Sequence, residues 1–409
     1  MNRFLPLFTL CVNCYLFTNE IDNQKELLPN KKKIIVLTSK GGGGHTEASK
    51  ALKYYLKDKY ELEIINPIPD LFASFDPVRK LTFNSWAAED LYNYFLKGKW
   101  NRCINALSNF GKWFVRLKKT SMETALEEYF QSTKPDLVIS VIPFINGVVY
   151  NVTQKMDIPF LIIPTDLDTS YFTYDIESPK YEKFMYTLAF DDEMLFNKIK
   201  DSKIPRSKIE ILGYPLKQTF FEEKNIDKIK EDFSIIKNKP VVMILMGAQG
   251  SSSLYTYVYH LAKNKNPIHL VVCLGKNEDI RKKISKIKLR KHVTMSMIGF
   301  TDRIADLMAA SDVIITKSGS HSVCEAIQTG VPILIDSISF SIYWERMNAD
   351  FIKKHCLGDV VKNYRKINTL VTKSINDKEY IEKVKDSLKK FKRSDFGFPL
   401  RNLIEKMIN

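Results

Sequence analysis

Short runs of apolar residues recur along this chain, each followed by small or polar residues and then by a stretch with helical spacing. Ile34-Ile-Val-Leu-Thr38 is the first such run and reads as a buried strand. Behind it come Ser39-Lys-Gly-Gly-Gly-Gly-His45 and a predicted helix over Thr46 to Leu56, with Ala48, Ala51, Leu52 and Tyr55 on one face. Glu61 to Ile65 is a second strand, and the rhythm resumes at Leu137 to Ile142 and Pro159 to Ile163. Glu210-Ile-Leu-Gly-Tyr-Pro215 closes the first half, and a charged stretch from Glu222 to Lys239 separates it from the second. Pro240 to Leu245, Ile268 to Leu274 and Val293 to Ile298 are further strands. Val313 to Thr316, a turn over Lys317 to Ser320, a helix over Ser322 to Gln328 and a strand over Val331 to Ile335 make a βαβ unit. Alternation of this kind predicts an α/β protein with parallel sheets. Tyr380 to Asn409 reads as helical with a break near Phe396 to Pro399, and the run Arg281 to Lys291 reads as a solvated basic helix face.

The rhythm lapses between Pro67 and Thr120. Trp100, Ile104, Leu107, Phe110, Phe114 and Leu117 recur there at three- or four-residue steps, an apolar helical stripe. No acid occurs between 97 and 119, and three of the four tryptophans (Trp86, Trp100 and Trp113) fall in this region. Basic flanks around an aromatic face describe a helix lying in a membrane interface, in preference to a core-facing helix with a basic rim.

The turns carry the candidate chemistry. Four consecutive glycines, Gly43 and Gly44 among them, let backbone approach another molecule where side chains would not fit. His45 stands near a helix N-terminus, whose positive end disfavours imidazolium and leaves a ring ready to accept a proton. Asp166 and Asp168, in Pro164-Thr-Asp-Leu-Asp-Thr169, lie beyond a strand's carboxyl end, where α/β sheets hold ligands; turn-forming aspartates are the plainer alternative. In the second half, Gly247, Gln249, Gly250 and Ser251 repeat the strand, glycine turn, helix pattern. Ser318, Gly319, Ser320, His321 and Ser322 offer N–H groups at a helix start, a ready phosphate site. Glu325 follows, placed for ribose hydroxyls or else an ordinary first-turn acid. The backbone at Gly299-Phe300, where a strand ends, could meet a flat heterocycle, and Glu345 and Asn348 share a helical face.

The 409 residues exceed one compact core. We divide them into an apolar tail and linker (1–30), a first domain (31–217) carrying the basic aromatic segment 84–119, a second (218–385) and a terminal helix (386–409). At 44% hydrophobic and 27% charged, the composition excludes disorder, and a net charge of +15 implies a polyanionic partner. No nucleic-acid reading motif accompanies the charge, so a membrane surface or phosphorylated substrate is expected. Cysteines at 11, 14, 103, 273, 324 and 356 complete neither a zinc site nor a disulfide framework, which points to the cytoplasm. The apolar run Phe4 to Phe17 is short for a membrane span; it reads as a membrane-contacting tail, with a secretion signal as the alternative.

Taken in order, the glycine loop to His45, Pro164 to Thr169, Gly213-Tyr-Pro215, Gly247 to Gly250, Gly299-Phe300, Ile314 to Gly319 with Glu325-Ala326, and Glu345 with Asn348 carry a resemblance. Over about residues 33 to 350 the chain resembles monogalactosyldiacylglycerol synthases and processive diacylglycerol glucosyltransferases. More distantly it is similar to the N-acetylglucosaminyltransferase that makes the second lipid intermediate of peptidoglycan. The resemblance implies a GT-B fold, two Rossmann-like domains facing across a cleft with the last helix crossing back. It implies an inverting transfer of a hexose from a UDP-sugar to a lipid such as diacylglycerol at a cytoplasmic membrane surface, with no metal in the active site and no cofactor. His45 matches the family's candidate base, Glu325 its ribose ligand, and Glu345 and Asn348 its sugar contacts. His321 stands where the family has glycine, Trp344 where it has glutamine, and Gly-Ala-Gln-Gly is poorer in glycine than usual. A UDP-N-acetylglucosamine 2-epimerase and a non-catalytic nucleotide-sugar-binding membrane protein are the competing readings.

Overall fold

The computed structural model describes residues 31–409, except 42, 84, 99, 248–250 and 340–341. The expected tail at 1–30, together with Gln249 and Gly250, therefore lies outside the described residues.

Two six-stranded sheets, wholly parallel, organise the chain. The first holds β1 (Lys33–Leu37), β2 (Glu61–Ile65), β3 (Leu137–Ser140), β4 (Phe160–Ile162), β5 (Phe184–Leu188) and β6 (Ile209–Ile211) in the order β2-β1-β3-β4-β5-β6. The second holds β7 (Val241–Leu245), β8 (Ile268–Gly275), β9 (Val293–Gly299), β10 (Val313–Lys317), β11 (Ile333–Asp336) and β12 (Gly358–Val361) in the order β12-β11-β10-β7-β8-β9. Each sheet reverses its winding once, between β1 and β3 in the first and between β7 and β10 in the second. Loops leaving adjacent strands diverge at such a point and open a crevice. The glycine turns after β1 and β7, and the turn after β10, all sit there.

Both faces of the first sheet are buried, as parallel pairing requires. Ile34 and Val36 face a cluster with Leu52, Leu56, Leu400, Leu403 and Ile404, whereas Ile35 and Leu37 face the opposite core. The helix Gly397–Ile408 thus packs on the first sheet against the helix Gly44–Leu56. A Cβ on Gly397 would stand 2.4 Å from the Tyr55 ring, so only glycine permits this approach.

Some expectations shift. The strands β5 and β12 and the helices Lys119–Thr133 and Ile367–Asn376 carried no signal singled out in the sequence. The basic run at 281–291 is not one helix: helix Glu278–Ile284 ends inside it. Ile287 and Leu289 then fold inward against the second core, at a two-residue step that a helix cannot direct to one side. The aromatic stripe lies on helix Asn101–Leu117 and divides: Ile104 is fully buried, while Trp100, Phe110, Trp113 and Leu117 are 42–59% exposed. Among the described residues, no helix is long and apolar enough to cross a membrane.

Candidate active site

Gly43, at a φ of 130° that favours glycine, turns the chain from the loop after β1 into helix Gly44–Leu56. His45 occupies that helix's first turn. Its Nδ1 lies 2.8 Å from the Val141 carbonyl, which can only accept, so Nδ1 carries the proton and Nε2 the lone pair. The Thr165 hydroxyl sits 2.6 Å from the same Nδ1 and itself donates to Val141 O at 3.3 Å, which orients it to accept from the ring. The ring's pKa falls to about 4. Burial is the chief cause, opposed by the Val141 hydrogen bond.

Across the crevice, helix Ser320–Thr329 begins at Ser320, two residues earlier than its apolar spacing suggested, with Gly319 as N-cap. His321 is therefore in its first turn and Glu325 a full turn further on, which removes the reading of Glu325 as a first-turn acid. Glu325 is buried and its carboxylate lies 3.3 Å from His321 Nε2. The His321 ring meets Tyr214 edge-on at 5.6 Å. A Cβ on Gly44 would stand 4.0 Å from His321 Cβ, so the glycine loop of one domain faces the helix start of the other.

The two halves also touch through Ser320. Its hydroxyl donates to Asp166 Oδ1 at 3.0 Å and accepts from Asn348 Nδ2 at 3.0 Å and from the Leu167 N–H at 3.4 Å. Burial and the neighbouring Glu345 raise the Asp166 pKa to about 7, against the Ser320 bond, which lowers it. Glu345 is buried in a 3₁₀ turn, and its carboxylate would lie 3.5 Å from a Cβ on Gly319. Asn348 is fully buried and also donates to the Ser318 carbonyl at 2.5 Å. Its amide is spent on supporting the 318–320 loop, which corrects the expectation that it faces the sugar.

Asp168 is corrected as well. At 3% exposed, its carboxylate pairs with Lys198 at 2.6 Å, accepts from Ser170 Oγ at 2.7 Å and caps the turn that follows. It braces the loop and does not present itself to an acceptor. Ser251 lies after β7, its hydroxyl accepting from Ser253 Oγ at 2.9 Å, and Ser322 is half-buried in the first turn of helix Ser320–Thr329. Phe300, past the end of β9, is 63% exposed, with the Lys276 ammonium 4.9 Å from its ring centre. Trp86, Trp100 and Trp113 are exposed and Phe114 half-buried; they lie on the first domain, apart from the His45–Ser320 cluster. Trp344 meets Tyr171 of the first domain edge-on at 5.4 Å.

Three participants escaped sequence reasoning. Thr165 was hidden because nothing local marks a hydroxyl that shares a histidine's proton. Lys317 ends β10, and its Cε lies 3.3 and 3.2 Å from the Cβ positions at Gly247 and Gly319, so its chain passes between both glycine turns. That basic residue at a strand's end, before small residues, was the available signal. Tyr92 faces Glu345 and Asp166, and burial holds its phenol well above its ordinary range.

A neutral histidine on one domain faces a helix start with a lysine on the other, an arrangement that can serve as a base opposite an anion. Residues 241–394 match the glycosyltransferase family 28 C-terminal domain. The MurG structure of Acinetobacter baumannii superposes with a TM-score of 0.62 at 14% identity, covering 92% of this chain and 100% of that one. HepE of Anabaena in complex with UDP-glucose gives 0.51 at 11% identity, over 92% and 98%. The protein is a glycosyltransferase of the GT-B fold. In sequence it is similar to the processive diacylglycerol beta-glucosyltransferase of Bacillus pumilus, 24% identical over 88% of this chain and 90% of that protein. The Bacillus subtilis enzyme of the same name is 23% identical over 88% and 91%.

Proposed function

We propose that the protein transfers a hexose from a UDP-sugar to a hydroxyl of a membrane lipid, diacylglycerol, with inversion at the anomeric carbon. The observation that carries this reading is His45, its Nε2 lone pair left for an acceptor by the Nδ1–Val141 bond, beside the 318–321 helix start. The acceptor oxygen attacks the sugar carbon as the bond to the β-phosphate breaks, and its proton passes to Nε2. A base with a pKa of about 4 takes that proton late, once the bonded oxygen has become strongly acidic. The departing diphosphate gathers charge, which N–H groups at Gly319–Ser322 and the Lys317 ammonium would receive. Glu325 would accept from the ribose, Glu345 from the sugar, and Phe300 would stack on uracil. Ser251 and the glycines of its loop would border the phosphates.

The acceptor reaches the cleft from a bilayer. Exposed Leu81, Phe83, Trp86, Tyr94, Trp100, Phe110, Trp113 and Leu117 on the first domain form the apolar side of that contact, and the basic charge favours an anionic, cytoplasmic leaflet. Relatives named as diacylglycerol glucosyltransferases support this acceptor. The test supplies UDP-glucose, UDP-galactose or UDP-N-acetylglucosamine with diacylglycerol vesicles and follows glycolipid mass and UDP release. Absence of both with every donor refutes the reading, whereas turnover of UDP-N-acetylglucosamine without lipid assigns an epimerase instead.

A further inference from the structure

Glu89, Tyr92 and Asn93 lie three and four residues apart on helix Ala88–Gly98, and all three turn toward the glycine loop. Glu89 Oε1 accepts from Ser39 Oγ at 2.6 Å, and Oε2 accepts from Asn66 Nδ2 at 2.7 Å. Ser39 Oγ in turn accepts the Gly41 N–H at 2.9 Å. The Tyr92 ring lies 3.6 Å from where a Cβ on Gly41 would stand, and Asn93 Nδ2 reaches the Lys40 carbonyl at 3.5 Å. Ser39 and Asn66 are buried, so the Glu89 carboxylate grips the loop from β1 and the turn after β2 together.

The same helix carries the aromatic surface. Tyr94 is 49% exposed, and its ring meets Trp86 at 5.4 Å and Trp100 at 5.9 Å. Four consecutive glycines place few steric limits on the loop backbone, so outside contacts help set its geometry. Here the holder is a helix whose other face lies open to a bilayer.

We propose that Glu89 is a positioning residue that couples the aromatic surface of helix Ala88–Gly98 to the loop bearing His45, so that seating on a lipid surface fixes the loop for transfer. This inference rests on the lipid-acceptor reading above. It assigns the helix a role beyond anchoring: the contact that brings the enzyme to its acceptor also orders the strand-end loop that receives it. Glu89 acts through Ser39 and Gly41 and touches no reacting atom.

Hydrogen exchange of the 39–46 amides is the deciding measurement, made on the full chain with and without vesicles of phosphatidylglycerol and diacylglycerol. In the wild type, exchange slows about fivefold or more on vesicles. Glu89→Ala binds the vesicles as well as wild type by sedimentation but shows no slowing, and its ratio of vesicle to micelle turnover falls toward one. Glu89→Gln, which keeps an acceptor for Ser39, retains most of both. Ser39→Ala removes the shared hydroxyl and repeats the alanine result, should Glu89→Ala fail to fold. Unchanged loop exchange in vesicle-bound wild type, no vesicle binding by wild type, or full protection in Glu89→Ala overturns the proposal. If wild type makes no glycolipid from any donor, the functional reading falls, while the exchange data still decide the coupling.

Discussion

Replacing His45 by alanine removes the group placed to take the acceptor's proton and leaves the opposite domain intact. Loss of a positioned general base lowers the rate by about 10²–10⁴. The proposed nucleotide side, Lys317, Ser318–Ser322 and Glu325, lies on the opposite domain, so the donor KM and UDP affinity stay within about twofold. The pH dependence tests the same assignment. A lowered pKa means the ring sheds its proton at lower pH, so with a value of about 4 His45 is in its base form throughout pH 6–9. Wild-type kcat/KM on micellar diacylglycerol is then level from pH 9 to 6 and declines only toward pH 4. Thr165→Val takes away the hydroxyl beside Nδ1 while Val141 O remains, a loss of ~0.5–1.5 kcal/mol of orientation, or about 2–12-fold in kcat. The measurement is initial UDP release at saturating UDP-glucose, the donor replaced as the panel dictates. A tenfold fall per pH unit setting in near 7 would transfer the base role to Asp166, whose carboxyl titrates there, and a His45→Ala enzyme within tenfold of wild type would refute the scheme.

Other substitutions separate the remaining roles. Glu325→Ala raises the donor KM by about tenfold or more, the worth of a charge-assisted hydrogen bond, with a smaller change in kcat in the same release assay. Asp166→Asn removes a pH slope: the raised pKa means the folded protein holds its proton more tightly than the unfolded chain, so wild type loses stability as pH rises from about 4 through 7. The thermal midpoint of the variant, measured relative to wild type, therefore climbs between pH 5 and 8. Asn348→Ala strips donors from Ser318 O and Ser320 Oγ in a fully buried site and costs about 1–3 kcal/mol, read as a lower denaturation midpoint. Trp100→Ser and Trp113→Ser each weaken sedimentation with anionic vesicles by about tenfold, the effect of removing one inserted aromatic ring, and leave UDP binding unchanged.

Much of this was legible in one dimension. Apolar runs such as Ile34 to Leu37 and Val313 to Thr316 have no other home than a strand buried on both faces, and glycine turns after them mark where a sheet opens to a ligand. The exposed tryptophans were legible too, because an acid-free amphipathic segment departs from the composition of an ordinary helix. Strands β5 and β12 were not: Phe184–Leu188 mixes apolar residues with Tyr186 and Thr187, and Gly358–Val361 opens on glycine and aspartate. Their strand character is supplied by the neighbours they pair with.

The sequence by itself determined the two-fold α/β plan and where its loops carry chemistry, because hydrophobic period and glycine placement are local properties. Only the tertiary structure decided which aspartate faces the cleft and which is buried on Lys198, and which ring nitrogen of His45 holds the proton. It also decided that Asn348 braces the 318–320 loop and that Glu89 ties a surface helix to the glycine loop after β1. Each of those outcomes depends on a partner between 30 and 154 residues away. Hydrogen bonds and desolvation are set by what is near in space, and spacing along the chain does not encode that.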